Sequence, residues 1–305
     1  MKKRQWIWCI VFSAILVLPL LLVFFNHPTT QNHPQPPQTT QKDSTTQGDQ
    51  AQEEPNKQED PPKKEDPAKQ EEPAKQEEPA KDKPPAPEEK PTIVWGVDTA
   101  SKVDAAFIKC VKDNYGPPAV FGRYLETKEG ISVGLTAEEA DLLHKQGIKI
   151  LPIFNHFTKA VGYEKGVAEA KEAISYSQKL GIPEGIAIFA DIEPNYPVDE
   201  AFIRGWVETL AGSPYKPGIY GVFTPDSKLT AAYQAAAAKT KAVQEQTILW
   251  SSNPDPGVTK QSKAPAFQPG APKDVNISIW QYGIDGETCN IDTNLIQSSV
   301  LELLW

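Results

Sequence analysis

Asp191 and Glu193 stand two residues apart at the end of an apolar run, Ile186-Ala-Ile-Phe-Ala190, which Pro194 closes. Side chains two apart on a strand point the same way, so both carboxyls face one side. Two carboxyls crowded into a partly dry pocket cannot both ionise freely. Burial and the neighbour's charge raise one proton affinity and leave an acid near neutral pH. Cleavage of a glycosidic bond needs that pair: one group protonates the leaving oxygen while the other supports the positive sugar. An Asp-x-Glu pattern alone is common on solvated loops, and its position at the end of an apolar strand is what points to a site. Further acids recur where such runs stop. Asp98 ends Ile93-Val-Trp-Gly-Val97, and Asp285 or Asp292 follows the last run.

The elements that must position these acids are short and β-rich. Apolar runs at 93–98, 119–124, 149–155, 186–193, 217–223, 247–252 and 278–283 read as strands covered on both faces. Helical patterns separate them. Val103, Phe107 and Val111 stripe the first, and a Thr136/Glu139 capping box opens the second, which Gly147 closes. A third runs from about Tyr163 to Leu180, and Phe202, Ile203, Trp206 and Leu210 stripe a fourth behind a cap at Asp199. Repeated strand–helix units imply parallel strands and an α/β fold. Seven strands fit a (β/α)8 TIM-type barrel with one unit degraded, the pattern failing over 253–277. A doubly wound open sheet is the alternative, weakened because no glycine-rich nucleotide loop follows the first strand. In a barrel, chemistry sits at the C-terminal ends of the strands, where the acids lie.

With those motifs in view the sequence resembles a known group. Gly96-Val97-Asp98-Thr99, Ala190-Asp191-Ile192-Glu193, Gly218-Ile219-Tyr220-Gly221, and Trp280-Gln281-Tyr282 followed by Asp292 are similar to the lysozymes of glycoside hydrolase family 25. Phe121-Gly122-Arg123-Tyr124-Leu125 and Leu135-Thr136-Ala137-Glu138-Glu139-Ala140 resemble more closely the related glycoside-hydrolase-like domain of secreted bacterial proteins. The matches run in order through nearly all of 92–305. The resemblance implies a barrel acting on peptidoglycan or a similar amino-sugar polymer, with Glu193 as general acid. Asp191 would orient an acetamido group or stabilise the developing positive charge, and Asp98 and Asp292 would complete an acidic floor. Arg123 and Tyr124 would sit beside the carboxylates, and Tyr220 would join them in binding substrate. The first motif departs from the lysozyme pattern at Thr99-Ala100-Ser101, and 253–277 does not align. A barrel that binds wall glycan without cleaving it is therefore the alternative.

Other residues carry two readings each. His156 follows the third strand, as a pocket residue or an ordinary loop histidine. Trp280 and Tyr282 share a strand face and would stack on sugar rings or pack in the core, and Trp250 carries the same ambiguity. Cys110 in the first helix and Cys289 after the last strand become neighbours on barrel closure. An exported domain would oxidise them to a disulfide; two separately buried thiols are the other reading.

Composition bounds the rest. The net charge of −9 over 305 residues divides into +3 for 1–26, −6 for 27–91 and −6 for 92–305, leaving no clustered basic patch for nucleic acid. Three cysteines without a C-x-x-C pair and four scattered histidines argue against a structural zinc, and no P-loop, G-x-S-x-G or H-E-x-x-H appears, so neither metal nor cofactor is expected. Residues 27–91 hold 14 of the 29 prolines and no Val, Ile, Leu, Phe, Trp or Tyr. Such a segment cannot form a core and reads as a disordered tether. Ahead of it, Lys2-Lys3-Arg4 precedes an uncharged apolar run from Trp6 to Phe25, long enough to span about 30 Å. Residues 1–26 thus read as a membrane anchor with a cytoplasmic N-terminus, holding residues 92–305 outside the cell or facing its wall. Secretion after signal cleavage is the alternative.

Overall fold

The computed structural model describes residues 92–305. The anchor expected at 1–26 and the tether at 27–91 lie outside the described residues, among which no helix is long and apolar enough to cross a membrane. Eight strands close into one barrel in chain order: β1 Ile93–Asp98, β2 Val120–Tyr124, β3 Lys149–Phe154, β4 Ala187–Asp191, β5 Lys216–Gly221, β6 Ile248–Ser252, β7 Ile277–Gly283 and β8 Asp292–Gln297. The first seven are parallel neighbours, as their apolar runs implied.

The eighth corrects the expectation. It pairs antiparallel with both β7 and β1, so the barrel is mixed rather than an all-parallel (β/α)8. The reason is length. Residues 284–291 connect β7 to β8, fewer than the dozen or so that a parallel crossover needs, so the chain can only turn back. Between β6 and β7 there is room for a crossover helix, but residues 253–276 form an irregular segment with a single 3-10 turn, Gln261–Lys263.

Helices α1 Ala105–Asn114, α2 Ala137–Lys145, α3 Tyr163–Leu180, α4 Glu200–Ala211, α5 Lys228–Lys239 and α6 Lys241–Gln246 pack outside the strands. Their starts follow local chemistry. Asp104, Thr136, Asp199 and Ser227 each accept a hydrogen bond from a backbone N–H in the first turn. α3 and α4 flank β4 and approach closely enough that a Cβ at Gly166 would strike the Phe202 carbonyl and one at Gly205 the Tyr163 carbonyl. Those two glycines let the helices grip the strand that ends in Asp191.

Inside the barrel, Val120, Leu151, Ala187, Phe189, Ile279 and Ile296 fill the lower layers. The inward positions at the C-terminal ends of the parallel strands are polar instead. Because β8 is reversed, its first residue rather than its last reaches that end, and Asp292 pairs directly with Asp98.

Candidate active site

Asp98 is the innermost acid. It accepts from Asn294 Nδ2 at 2.6 Å and from Gln281 Nε2 at 3.1 Å, and burial nevertheless pushes its carboxyl up to about 6, those two donors and the Arg123 charge pulling the other way. Asp292, opposite it, accepts from the Asp285 N–H at 2.8 Å and from Gln281 Nε2 at 3.2 Å. Burial first, then the Asp98 charge, lifts Asp292 to about 8. Asp191 ends β4 fully enclosed, with Oδ1 accepting no hydrogen bond among the described residues. Burial raises it well above the usual carboxylate range, and the charges of Glu193 and Asp98 add to this. Glu193, two residues beyond the strand and half-buried at the rim, is raised by its own burial, while a hydrogen bond from Asp191 and the charge of Lys128 oppose the rise. Both carboxyls are thus raised, Asp191 the more strongly because it is the deeper of the two and the charge of Glu193 lies beside it.

The four acids thus converge on one mouth. Tyr124 and Tyr220 complete it: burial, then Asp191 and Asp98, drives both hydroxyls far above their ordinary value, and Tyr220 donates to Gln281 Oε1 at 2.7 Å. The Tyr196 hydroxyl is raised by burial and then by Asp191 and Glu193, and its ring lines a cavity of about 160 Å³ with Glu193, Val198 and Leu229. Tyr196, Gln281, Asn294 and Lys128 were not foreseen. Gln281 stands inside the Trp280-Gln281-Tyr282 motif, on the strand face opposite its two aromatic neighbours. Lys128 lies in the loop after β2, where its ammonium donates to the Asn155 carbonyl at 2.7 Å.

Five expected site residues lie elsewhere. Trp280 and Tyr282 point outward, buried between barrel and outer shell. The Trp280 N–H donates to the Asn253 carbonyl, and the Tyr282 hydroxyl accepts from Trp95 Nε1 at 2.9 Å. Trp250 points inward but is 1% exposed, with its N–H on Asn294 Oδ1 at 2.8 Å, so it is floor rather than sugar platform. Arg123 is 0% exposed, its Nε on Glu139 Oε1 at 2.5 Å and its two terminal nitrogens on the carbonyls of Thr99 and Val133. It reaches the acids only through its charge on Asp98. The Glu139 carboxylate, which a capping box would return to the Thr136 N–H, is spent on this clamp. His156 turns to Glu172 of α3 at 3.0 Å. The cysteine alternative is settled: Cys110 and Cys289 form a disulfide, with Cα atoms 6.0 Å apart. It ties α1 to the β7–β8 turn, where Asp285, Cys289 and Asn290 all adopt positive φ. Asn290 in turn accepts from Thr99 Oγ1 at 2.6 Å.

Acids whose proton affinity is raised by folding stabilise the folded chain below their unfolded values near 4. That contribution is lost as pH rises through about 6 for Asp98 and about 8 for Asp292. For Asp98 alone the change is on the order of 3 kcal/mol, at about 1.4 kcal/mol per pKa unit. Melting temperature is expected to fall between pH 5 and pH 9, and Asp191→Asn, which loses no hydrogen-bond donor at Oδ1, is expected to flatten the fall. A melting temperature that climbs over this range in the wild-type chain would contradict the charge crowding.

A closed α/β barrel with carboxyls gathered at the C-terminal ends of its parallel strands is the plan of a glycoside-hydrolase-like domain. The chain belongs to the Rv2525c-like, glycoside hydrolase-like domain family, whose sequence model matches residues 115–296. It is similar to an uncharacterized B. stearothermophilus protein of known crystal structure, with 41% identity, a TM-score of 0.68, and coverage of 70% of this chain and 100% of that one. More distant likenesses include a family GH25 lysozyme from Aspergillus fumigatus (17% identity, TM-score 0.43, 70% of this chain and 99% of that one). A muramidase from Acremonium alcalophilum is similar at 16% identity and a TM-score of 0.44, over 68% of this chain and 96% of that one. No curated protein sequence matches the chain.

Proposed function

We propose that this chain hydrolyses bacterial cell-wall glycan, peptidoglycan or a related amino-sugar polymer, by carboxylate acid–base catalysis at the barrel mouth. The observation that carries the reading is the convergence of Asp98, Asp191, Glu193 and Asp292 on one mouth, where burial raises all four. Glu193, at the rim, gives its proton to the leaving glycosidic oxygen. Asp191, as a carboxylate, faces the developing positive charge, and water then adds to the anomeric carbon and returns its proton to Glu193. Asp98 and Asp292 keep the floor acidic, and Tyr124 and Tyr220 offer hydroxyls to the sugar. In this reading residues 1–26 anchor the chain in the membrane and 27–91 extend the domain toward the wall.

A second reading, a barrel that holds wall glycan without turnover, is favoured by the first motif's departure at Thr99-Ala100-Ser101 and by the irregular segment 253–276. Incubating the chain with purified peptidoglycan and assaying both new reducing ends and co-sedimentation separates the two. New ends are the expected result. Sedimentation without new ends would select the binder, and neither signal would reject both.

A further inference from the structure

We infer that Glu126, His156 and Glu172 form a binding site for a divalent transition-metal cation, with zinc the best match. The three residues come from separate segments: Glu126 two residues beyond β2, His156 two beyond β3, and Glu172 within α3. Their donor atoms nevertheless lie within 4.8 Å of one another, His156 Nδ1 being 3.0 Å from Glu172 Oε1 and 3.7 Å from Glu126 Oε1. Zinc–ligand bonds of about 2.0–2.2 Å in a tetrahedron place donor atoms roughly 3.5 Å apart, so shifts of about an ångström bring all three onto one ion.

Two further observations point to a missing cation. Glu126 Oε1 is buried and has no hydrogen-bond partner among the described residues. No Lys or Arg among those residues pairs with either carboxylate, so the imidazole is the one basic group they meet. One imidazole nitrogen with two carboxylate oxygens suits zinc better than magnesium or calcium, which prefer all-oxygen shells. His156 is 46% and Glu172 38% exposed on their side chains, which leaves a fourth position open to water. An ion there would pin α3 to the loops that carry Lys128 and Asn155, bracing the side of the mouth next to Asp191. No fixed spacing along the chain announces such a site, its ligands coming from two loops and a helix far apart in sequence.

The test uses the full chain, stripped with chelator and titrated calorimetrically with zinc chloride, alongside melting curves. One zinc per chain is expected. Affinity should weaken about tenfold or more in His156→Ala and in Glu172→Gln, and stay unchanged in Glu193→Gln, which removes an acid of the mouth instead. Zinc should raise the melting temperature of the wild-type and Glu193→Gln chains and leave His156→Ala unmoved. Absence of zinc uptake, or an affinity unchanged in His156→Ala, would overturn the inference.

Discussion

A Glu193→Gln chain is expected to melt where the wild type melts and to release reducing ends from peptidoglycan about 10²–10⁴-fold more slowly. The substitution keeps the side chain's shape at a half-buried rim position and removes the group that delivers the proton, while Asp191 below it remains. Binding of the polymer should persist, because the tyrosine hydroxyls and the other acids are untouched. Wall hydrolysis at the wild-type rate by this variant would remove Glu193 from the chemistry and leave the proposed mechanism without its acid.

The second large effect concerns stability. Arg123→Met would leave the Glu139 carboxylate buried without its partner and strip donors from the Thr99 and Val133 carbonyls. Breaking a buried pair from one side costs about 3–5 kcal/mol. For a domain of this size that is a drop on the order of 10 °C in melting temperature. Joining it to Glu139→Leu should recover much of the loss, since both charges then leave the interior together. Equal melting of Arg123→Met and wild type would mean that the clamp is not fixing the loop after Asp98. Residual activity in the single variant is expected to suffer as well, because Thr99 follows Asp98 directly.

Much of this was legible in the residues. The capped, striped helices and the seven apolar runs reappear as α1–α4 and β1–β7, since fully covered strands have an unmistakable composition. The acids at 98, 191 and 193 stand where such runs stop, whereas only the family resemblance sets Asp292 apart from Asp285. What stayed hidden follows from the same composition. A strand apolar on both faces carries no asymmetry to tell inside from outside. The face of Trp280 and Tyr282 therefore stays open between mouth and core, inward Gln281 draws no notice, and Arg123 is drawn to the mouth only by the family resemblance. β8 was missed because two of its inward positions, Asp292 and Asn294, are polar: they serve the site, and doing so dilutes the strand's apolar signal. Lys128 and Glu126 come from loop positions where neither period nor spacing speaks.

The reversed last strand also decides where the domain can be handled. β8 descends from the mouth, the Ser298 N–H bonds to the Thr92 carbonyl, and Trp305 pairs with Ile150 at the start of β3. Residues 92 and 305 consequently lie together on the underside, a short 3-10 turn, Ser298–Leu303, leading from β8 to Trp305. An affinity tag, a surface linkage or a fused protein at residue 305 would begin at the barrel's base, facing away from whatever polymer approaches the acids.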